Sequence, residues 1–358
     1  MDNLKIPLMK PQLATVDKII PFLRSLDQNN IYSNNGPLVK KLEDAYSDYF
    51  KVNRDLVVAA SNASQAIQGL VSISEKKNWL VPDYTFVATG LAVLNANKNI
   101  VLCDVNLHDW KIDLSQNLIT SDKYGVIPVM PFGAEVVFEP YSDFVDVIID
   151  AAASLGSDQP DFSEMPSTWS VVYSLHATKV LGAGEGSIVV CGSQDIAKKL
   201  RAWINFGFNG ERSSEIQGTN AKLSEVNAAY GLYSILNIDS EKNDWLMVQE
   251  VVSQSTAGRR WNTRVNIVAQ FHPYWIAQFS DEFEVSSVVK MLNSEGIESR
   301  KWWPKPLSAQ KPFIGREKIT ETLNSKFLAS TQLGLPMYRG IPVGAILEIC
   351  RLIDESIN

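Results

Sequence analysis

One lysine, one aspartate and two small-residue turns in this chain have the types and placement that chemistry needs. Lys179 sits in Tyr173-Ser-Leu-His-Ala-Thr-Lys179-Val-Leu-Gly-Ala-Gly-Glu-Gly186, between an apolar β-like run and a second run, Ser187 to Cys191. A lysine on a short connection between two buried strands is costly to hold as a cation, and a lysine made neutral by burial is a nucleophile able to form a Schiff base. The competing reading is a surface lysine on a hairpin turn. The glycines from Gly182 to Gly186 precede a strand, whereas a dinucleotide loop must open a helix, so they serve a tight turn instead.

Asp150 closes the apolar run Val147-Ile-Ile-Asp150. A carboxylate there is either a helix cap or a buried charge that needs a cationic partner, and a pyridinium N–H is one such partner. Ala59-Ala-Ser-Asn-Ala-Ser-Gln-Ala66 is a small-residue turn between a strand and a helix. Its amides and the Ser64 hydroxyl suit a phosphate, and plain capping by Ser61 or Asn62 is the alternative. In Val81-Pro-Asp-Tyr-Thr-Phe-Val-Ala-Thr89, Tyr84 or Phe86 could stack on a planar cofactor or fill the core.

The elements that must position these residues follow from periodicity. Helices are expected at Pro37–Phe50 (with Leu38, Leu42, Ala45 and Tyr46 on one face), Ala63–Ile73 and Val87–Ala96. Strands are expected at Leu56–Ala60, Trp79–Val81, Ile100–Val105, Val126–Met130, Val145–Ile149, Trp169–Ser174 and Ser187–Val190. Such alternation predicts an α/β domain with a largely parallel central sheet flanked by helices, with ligands at the carboxyl ends of its strands. After residue 240 the character shifts. Helices are expected at Leu246–Gly258, Val285–Glu295, Ser325–Leu333 and Gly344–Ile357, and strands at Ile267–Phe271 and Trp275–Phe279. The division reads as a large cofactor-binding α/β domain, 1–240, and a smaller C-terminal α+β domain, 241–358.

Composition bounds the function. The 358 residues carry a formal net charge of −7 without a basic block, which argues against a nucleic-acid partner. Cys103, Cys191 and Cys350 are far apart and odd in number, which fits buried thiols in a reducing cytoplasm. No run reaches the length of a membrane span, and His108, His176 and His272 are too scattered for a metal cluster.

Taken in order, these segments resemble the DegT/StrS-like family of pyridoxal 5'-phosphate (PLP) sugar aminotransferases, which have the fold type I architecture. The resemblance rests on Ile31-Tyr-Ser-Asn-Asn-Gly-Pro-Leu-Val39, Asn62-Ala-Ser64, Pro82 to Thr89, Ile127-Pro-Val-Met-Pro-Phe-Gly133, Ser174-Leu-His-Ala-Thr-Lys179 with Gly184-Glu-Gly186, and Gly218 to Ala229. It implies that Lys179 carries PLP as an internal aldimine and shuttles the proton, and that Asp150 pairs with the pyridine nitrogen. It also implies that Phe86 stacks on the ring and that Ala63, Ser64 and Ser174 hold the phosphate. Asn220 would reach the neighbouring subunit's phosphate, which implies a homodimer with shared active sites. The implied reaction moves an amino group from glutamate to C3 or C4 of a nucleotide-linked keto sugar. Arg201, Lys301 and Lys305 are candidate contacts for its diphosphate at the cleft rim, with an ordinary surface charge as the alternative for each, and Lys301-Trp-Trp-Pro-Lys-Pro306 lies where the family has a substrate-side aromatic segment.

The chain departs from the family pattern at Ala63 and Ser64 (usually glycine and threonine), at Ala153 (usually glutamine or histidine) and at Lys222 (often arginine). His176 is read as structural. A sugar dehydratase of the same fold would carry histidine in place of Lys179. A regulatory or scaffold protein that had lost the chemistry would account for Ala63 and Ala153, but not for the retained Lys179 and Asp150.

Overall fold

The computed structural model describes residues 6–115, 120–261 and 271–357. The N-terminal part runs α1 (Val16–Asn29), α2 (Pro37–Phe50), β1 (Val57–Ala60), α3 (Ala63–Ile73), β2 (Asn78–Pro82), α4 (Val87–Asn95), β3 (Asn99–Cys103), β4 (Tyr124–Val126), β5 (Ile148–Asp150), β6 (Ser170–Ser174), β7 (Ser187–Cys191), α5 (Gln194–Trp203) and α6 (Glu225–Leu236). It continues through α7 (Ile238–Thr256), β8 (Trp275–Gln278), α8 (Glu282–Ser294), β9 (Glu317–Lys318), α9 (Leu323–Thr331), β10 (Gln332–Leu335) and α10 (Val343–Ile357).

β1, β6 and β7 of the large sheet are short, mostly apolar and buried on both faces, the pattern of a sheet covered by helices on each side. Alternation along β1 shows the two layers. Val57 and Ala59 pack into a core shared with α2 and α6, while Val58 and Ala60 pack with α3 and α5. Two four-stranded sheets, β1-β7-β6-β5 and β4-β2-β3-β9, meet through parallel bridges Val126–Val147 and Val129–Asp150. Among the described residues, every strand pairing within these two sheets is parallel except the two made by β7, so the sheet is mostly parallel, as the alternation predicts.

Helix starts are chemically specified. α2 begins with Pro37 at its first turn, and the buried Glu225 carboxylate accepts from the amides of Leu38 and Val39 at 2.7 and 3.2 Å. Asn62 caps α3 by accepting from Gln65 N–H at 2.9 Å.

The C-terminal part forms the antiparallel pair β8–β10, with α10 packed on α8 and α7. It is laced to the large sheet. β9 pairs with β3, the Asp83 carboxylate accepts from Ser308 N–H and Oγ at 2.6 and 2.7 Å, and Asp104 caps α9 through Asn324 and Ser325. The N-terminal segment returns to this part, with Ile6 bridged to Ile297. Contacts therefore join the residues on either side of residue 240.

Several expected bounds shift. The helix expected over 325–333 ends at Thr331, because the buried run Gln332–Leu335 pairs with β8. Short apolar runs do not distinguish helix from strand by period alone. α7 starts at Ile238, ahead of the expected Leu246. The strand expected over 126–130 is β4, Tyr124–Val126, with Val129 a lone bridge beyond Pro128, which has no N–H to donate. α1, which contains Pro21, was not anticipated. The strand expected at Ile267–Phe271 falls, except for Phe271, outside the described residues.

Candidate active site

The register sets the site. Ala60 pairs with Ser187, and Ser187 pairs with Ser174, so the ends of β1 and β6 lie in one row across the start of β7. Asp150, the last residue of β5, pairs with Val172, two positions before Ser174. The carboxyl ends of β1, β5 and β6 thus meet along one edge. Asn62–Ser64 follows β1 there, and the first turn of α4 reaches the same edge through Thr89, whose Oγ1 donates to Asp150 at 2.7 Å.

Asp150 is 7% exposed. No helix follows it, which rules out the helix-cap reading. Its carboxylate instead closes a local turn by accepting from Ala152 N–H at 3.2 Å. Burial raises its pKa above the ordinary carboxylate value, opposed by Thr89, Ala152 and the Lys179 charge. Among the described residues no cation makes direct contact with it.

Lys179 lies on the link between β6 and β7. Bonds from Leu175 to Gly186 (2.9 Å), Ala177 to Gly184 (2.9 Å) and Ala183 to Leu175 (2.7 Å) continue the ladder beyond the strands. Gly184 takes φ +90°, and a Cβ on Gly182 would lie 3.1 Å from the Ala177 backbone, so this turn uses its glycines. Lys179 N–H donates to His176 O at 2.8 Å. The His176 ring contacts Thr178 Oγ1 at 2.8 Å, which fits its reading as a turn-forming residue. Lys179 is half-buried, and its Nζ donates to Tyr274 Oη at 2.7 Å, which excludes a fully solvated surface lysine.

The remaining predicted residues separate. Of the two rings after β2, Tyr84 is buried and bonded to Gln332, whereas Phe86 is 58% exposed at the start of α4. Ala63 and Ser64 occupy the first turn of α3. There the Asn62 cap takes the Gln65 amide, and the leading amides have no partner within the helix. Ser174 Oγ accepts from His176 N–H at 3.2 Å. Ala221 O accepts from Ser61 N–H at 2.7 Å, which anchors the Asn220 segment beside this chain's own α3 turn. Asn220 is exposed, and its Oδ1 accepts from Lys222 Nζ at 2.6 Å.

Arg201 is a correction. It is not at the cleft rim, because its Nη1 pairs with the buried Glu43 at 2.8 Å and its Nη2 donates to Val57 O. Lys301 pairs with Glu282 at 3.3 Å, and Lys305 is exposed. Trp302 and Trp303 turn inward instead. Trp303 stacks on Phe132 at 4.3 Å and meets Tyr84 edge-on at 4.8 Å. Sequence reasoning missed Tyr274, which joins this aromatic group next to Ala153. The only hint was its place just before an expected strand.

A model of the DegT/DnrJ/EryC1/StrS aminotransferase family matches residues 15–354. The chain belongs to that family. Over 360 residues it is 26% identical to the dTDP-4-amino-4,6-dideoxy-D-glucose transaminase of Shigella dysenteriae, covering 97% of each chain. It is 24% identical to the UDP-2-acetamido-2-deoxy-3-oxo-D-glucuronate aminotransferase of Pseudomonas aeruginosa, covering 98% of this chain and 99% of that one. A solved structure from Bacillus cereus, assigned as a PLP-dependent aminotransferase, superposes with a TM-score of 0.89 at 22% identity, covering 98% of this chain and 99% of that chain. That likeness establishes the fold. The family's cofactor fits the residues present: a buried carboxylate without a contacting cation for a ring N–H, a primary amine close enough for its charge to act on that carboxylate, and a helix N-terminus for a phosphate.

Proposed function

We propose that this family member is a PLP-dependent aminotransferase that moves an amino group from glutamate to a keto sugar carried on a nucleotide. The observation that carries this reading is the buried, unneutralised Asp150 at the same strand edge as Lys179. When bound, PLP supplies an electron sink that stabilises negative charge at the substrate carbon and carries the amino group between half-reactions.

The chain's own residues do the rest. Asp150 would keep a proton on the ring nitrogen, because burial disfavours its charged form and a cation beside it favours that form. Lys179 Nζ would hold the cofactor, and as a free amine it would take and return the proton at the substrate carbon. The amides of Ala63 and Ser64 and the hydroxyls of Ser64 and Ser174 would hold the phosphate, and Phe86 would stack on the ring. Asn220 completes a phosphate site across a homodimer, a role its exposure permits. The transaminase names of the relatives at 26% and 24% identity support a nucleotide-linked substrate. The three cysteines are free and buried, which supports a reducing compartment such as the cytoplasm. Among the described residues no helix is long and apolar enough to cross a membrane.

The test is spectroscopic. Purified protein with PLP should show a visible absorption band. Borohydride should then fix PLP covalently to the wild type but not to Lys179→Ala, and glutamate should convert the band to that of the pyridoxamine form. A protein that stays colourless with PLP would reject the reading, and a band indifferent to glutamate would reject the donor.

A further inference from the structure

Tyr274 stands just ahead of β8, far from Lys179 in sequence, yet the two side chains meet. The phenol oxygen accepts from Lys179 Nζ at 2.7 Å, and the amine lies 5.3 Å from the ring centre. The tyrosine is held on several sides. Phe132 and Trp302 each meet its ring edge-on at 5.6 Å, its backbone N–H donates to His272 Nδ1 at 3.3 Å, and it is 8% exposed. A rigid acceptor thus faces one of the most flexible side chains. Free rotation of a lysine is worth about 2 kcal/mol of rotamer entropy, so a fixed partner changes where its amine is found. The phenol oxygen accepts, so a neutral amine in this contact keeps its lone pair.

We propose that Tyr274 is a positioning residue for Lys179: its phenol oxygen holds the amine whenever the lysine is not bonded to the cofactor, and so keeps the base ready to move the substrate proton. This rests on the reading of Lys179 given above. Tyr274 acts through the lysine and need not touch substrate.

Tyr274→Phe keeps the ring and removes only the oxygen. In cofactor-free protein, the rate at which acetic anhydride labels Lys179, followed by peptide mass spectrometry, should change at least ~3-fold once the amine loses its partner. In PLP-loaded protein, exchange of the glutamate α-hydrogen with solvent should slow about 10- to 100-fold, the scale of a misplaced general base, while KM for glutamate stays within about twofold. In a Lys179→Ala background supplied with methylamine, Tyr274→Phe should cost nothing further, whereas a merely structural tyrosine would cost the same in both backgrounds. Unchanged labelling and exchange in Tyr274→Phe, with borohydride fixation of PLP intact, overturns this inference and leaves the proposed function standing. Failure of the wild type to fix PLP at Lys179 overturns both.

Discussion

Glu43 and Asp150 are both carboxylates buried against the large sheet, 2% and 7% exposed, and their surroundings are opposite. Glu43 meets Arg54 Nη2 at 2.6 Å, Arg201 Nη1 at 2.8 Å and the Ala59 amide at 2.8 Å. Asp150 meets a hydroxyl and an amide, both neutral. The first charge is complete within the chain and fastens α2 and α5 to β1. The second is hydrogen-bonded but not neutralised, and burial raises its pKa. A carboxylate neutralised by its own chain is structural, while a buried one without a cation in contact has room for a cationic ligand.

Removing each partner should give different losses. Glu43→Gln leaves the partly buried Arg201 without a carboxylate, while Arg54 keeps Asp44 at 2.6 Å, and breaking such a buried pair costs about 3–5 kcal/mol. Urea unfolding of the cofactor-free protein should show this loss, while borohydride fixation of PLP persists wherever the variant is folded. A loss below about 1 kcal/mol would place Glu43 among ordinary surface pairs and dissolve the contrast.

Asp150→Asn should do the reverse. The amide keeps the shape and removes a charge the fold does not need. Transamination should fall about 10²- to 10³-fold, the scale of one lost electrostatic contact, with no loss of stability in cofactor-free protein. An active Asp150→Asn would remove Asp150 from the site.

Titration sharpens the same contrast. Asp150 has its folded-state pKa raised above the unfolded value near 3.8. Between those two values the folded protein binds more protons than the unfolded chain, so its contribution to stability is full below the unfolded value and is lost as pH rises through the folded one. Cofactor-free wild type should therefore lose stability over that window relative to Asp150→Asn, as read from denaturation midpoints at a series of pH values. A difference of opposite sign would mean that Asp150 is already neutralised.

Much of this arrangement was legible in the sequence. The helices over 37–50 and 63–73 and the strands around Lys179 carry strong periods and clear punctuation, so their bounds came out within a residue or so. Asp150 was left between cap and buried charge, because only the absence of a following helix decides it. Arg201 was misplaced because a charge on an amphipathic helix looks solvated until its partner, Glu43, is known from tertiary packing. Tyr274 was missed because it meets Lys179 across a fold that no local spacing encodes. Gln332 and Leu333 read as the end of a helix because their strand character comes from pairing with β8.

Ser174 gives the smallest effect and divides structural from ligand-binding roles within one side chain. Its oxygen accepts from the His176 amide at 3.2 Å, a bond that shapes the turn toward Lys179. Its hydroxyl hydrogen remains available as a donor at the row where β1 and β6 end. If the phosphate lies there, that hydrogen makes a charge-assisted bond with a net worth of about 1.5–3 kcal/mol, partly covered by the neighbouring α3 amides. Ser174→Ala should therefore weaken PLP binding about tenfold in equilibrium titration, because about 1.4 kcal/mol is a factor of ten. Borohydride fixation at saturating PLP should be unchanged, since the lysine is untouched. If Ser174→Ala instead lowers the urea midpoint and leaves PLP affinity alone, the serine belongs with Glu43 on the structural side, and the phosphate is held by the α3 turn without it.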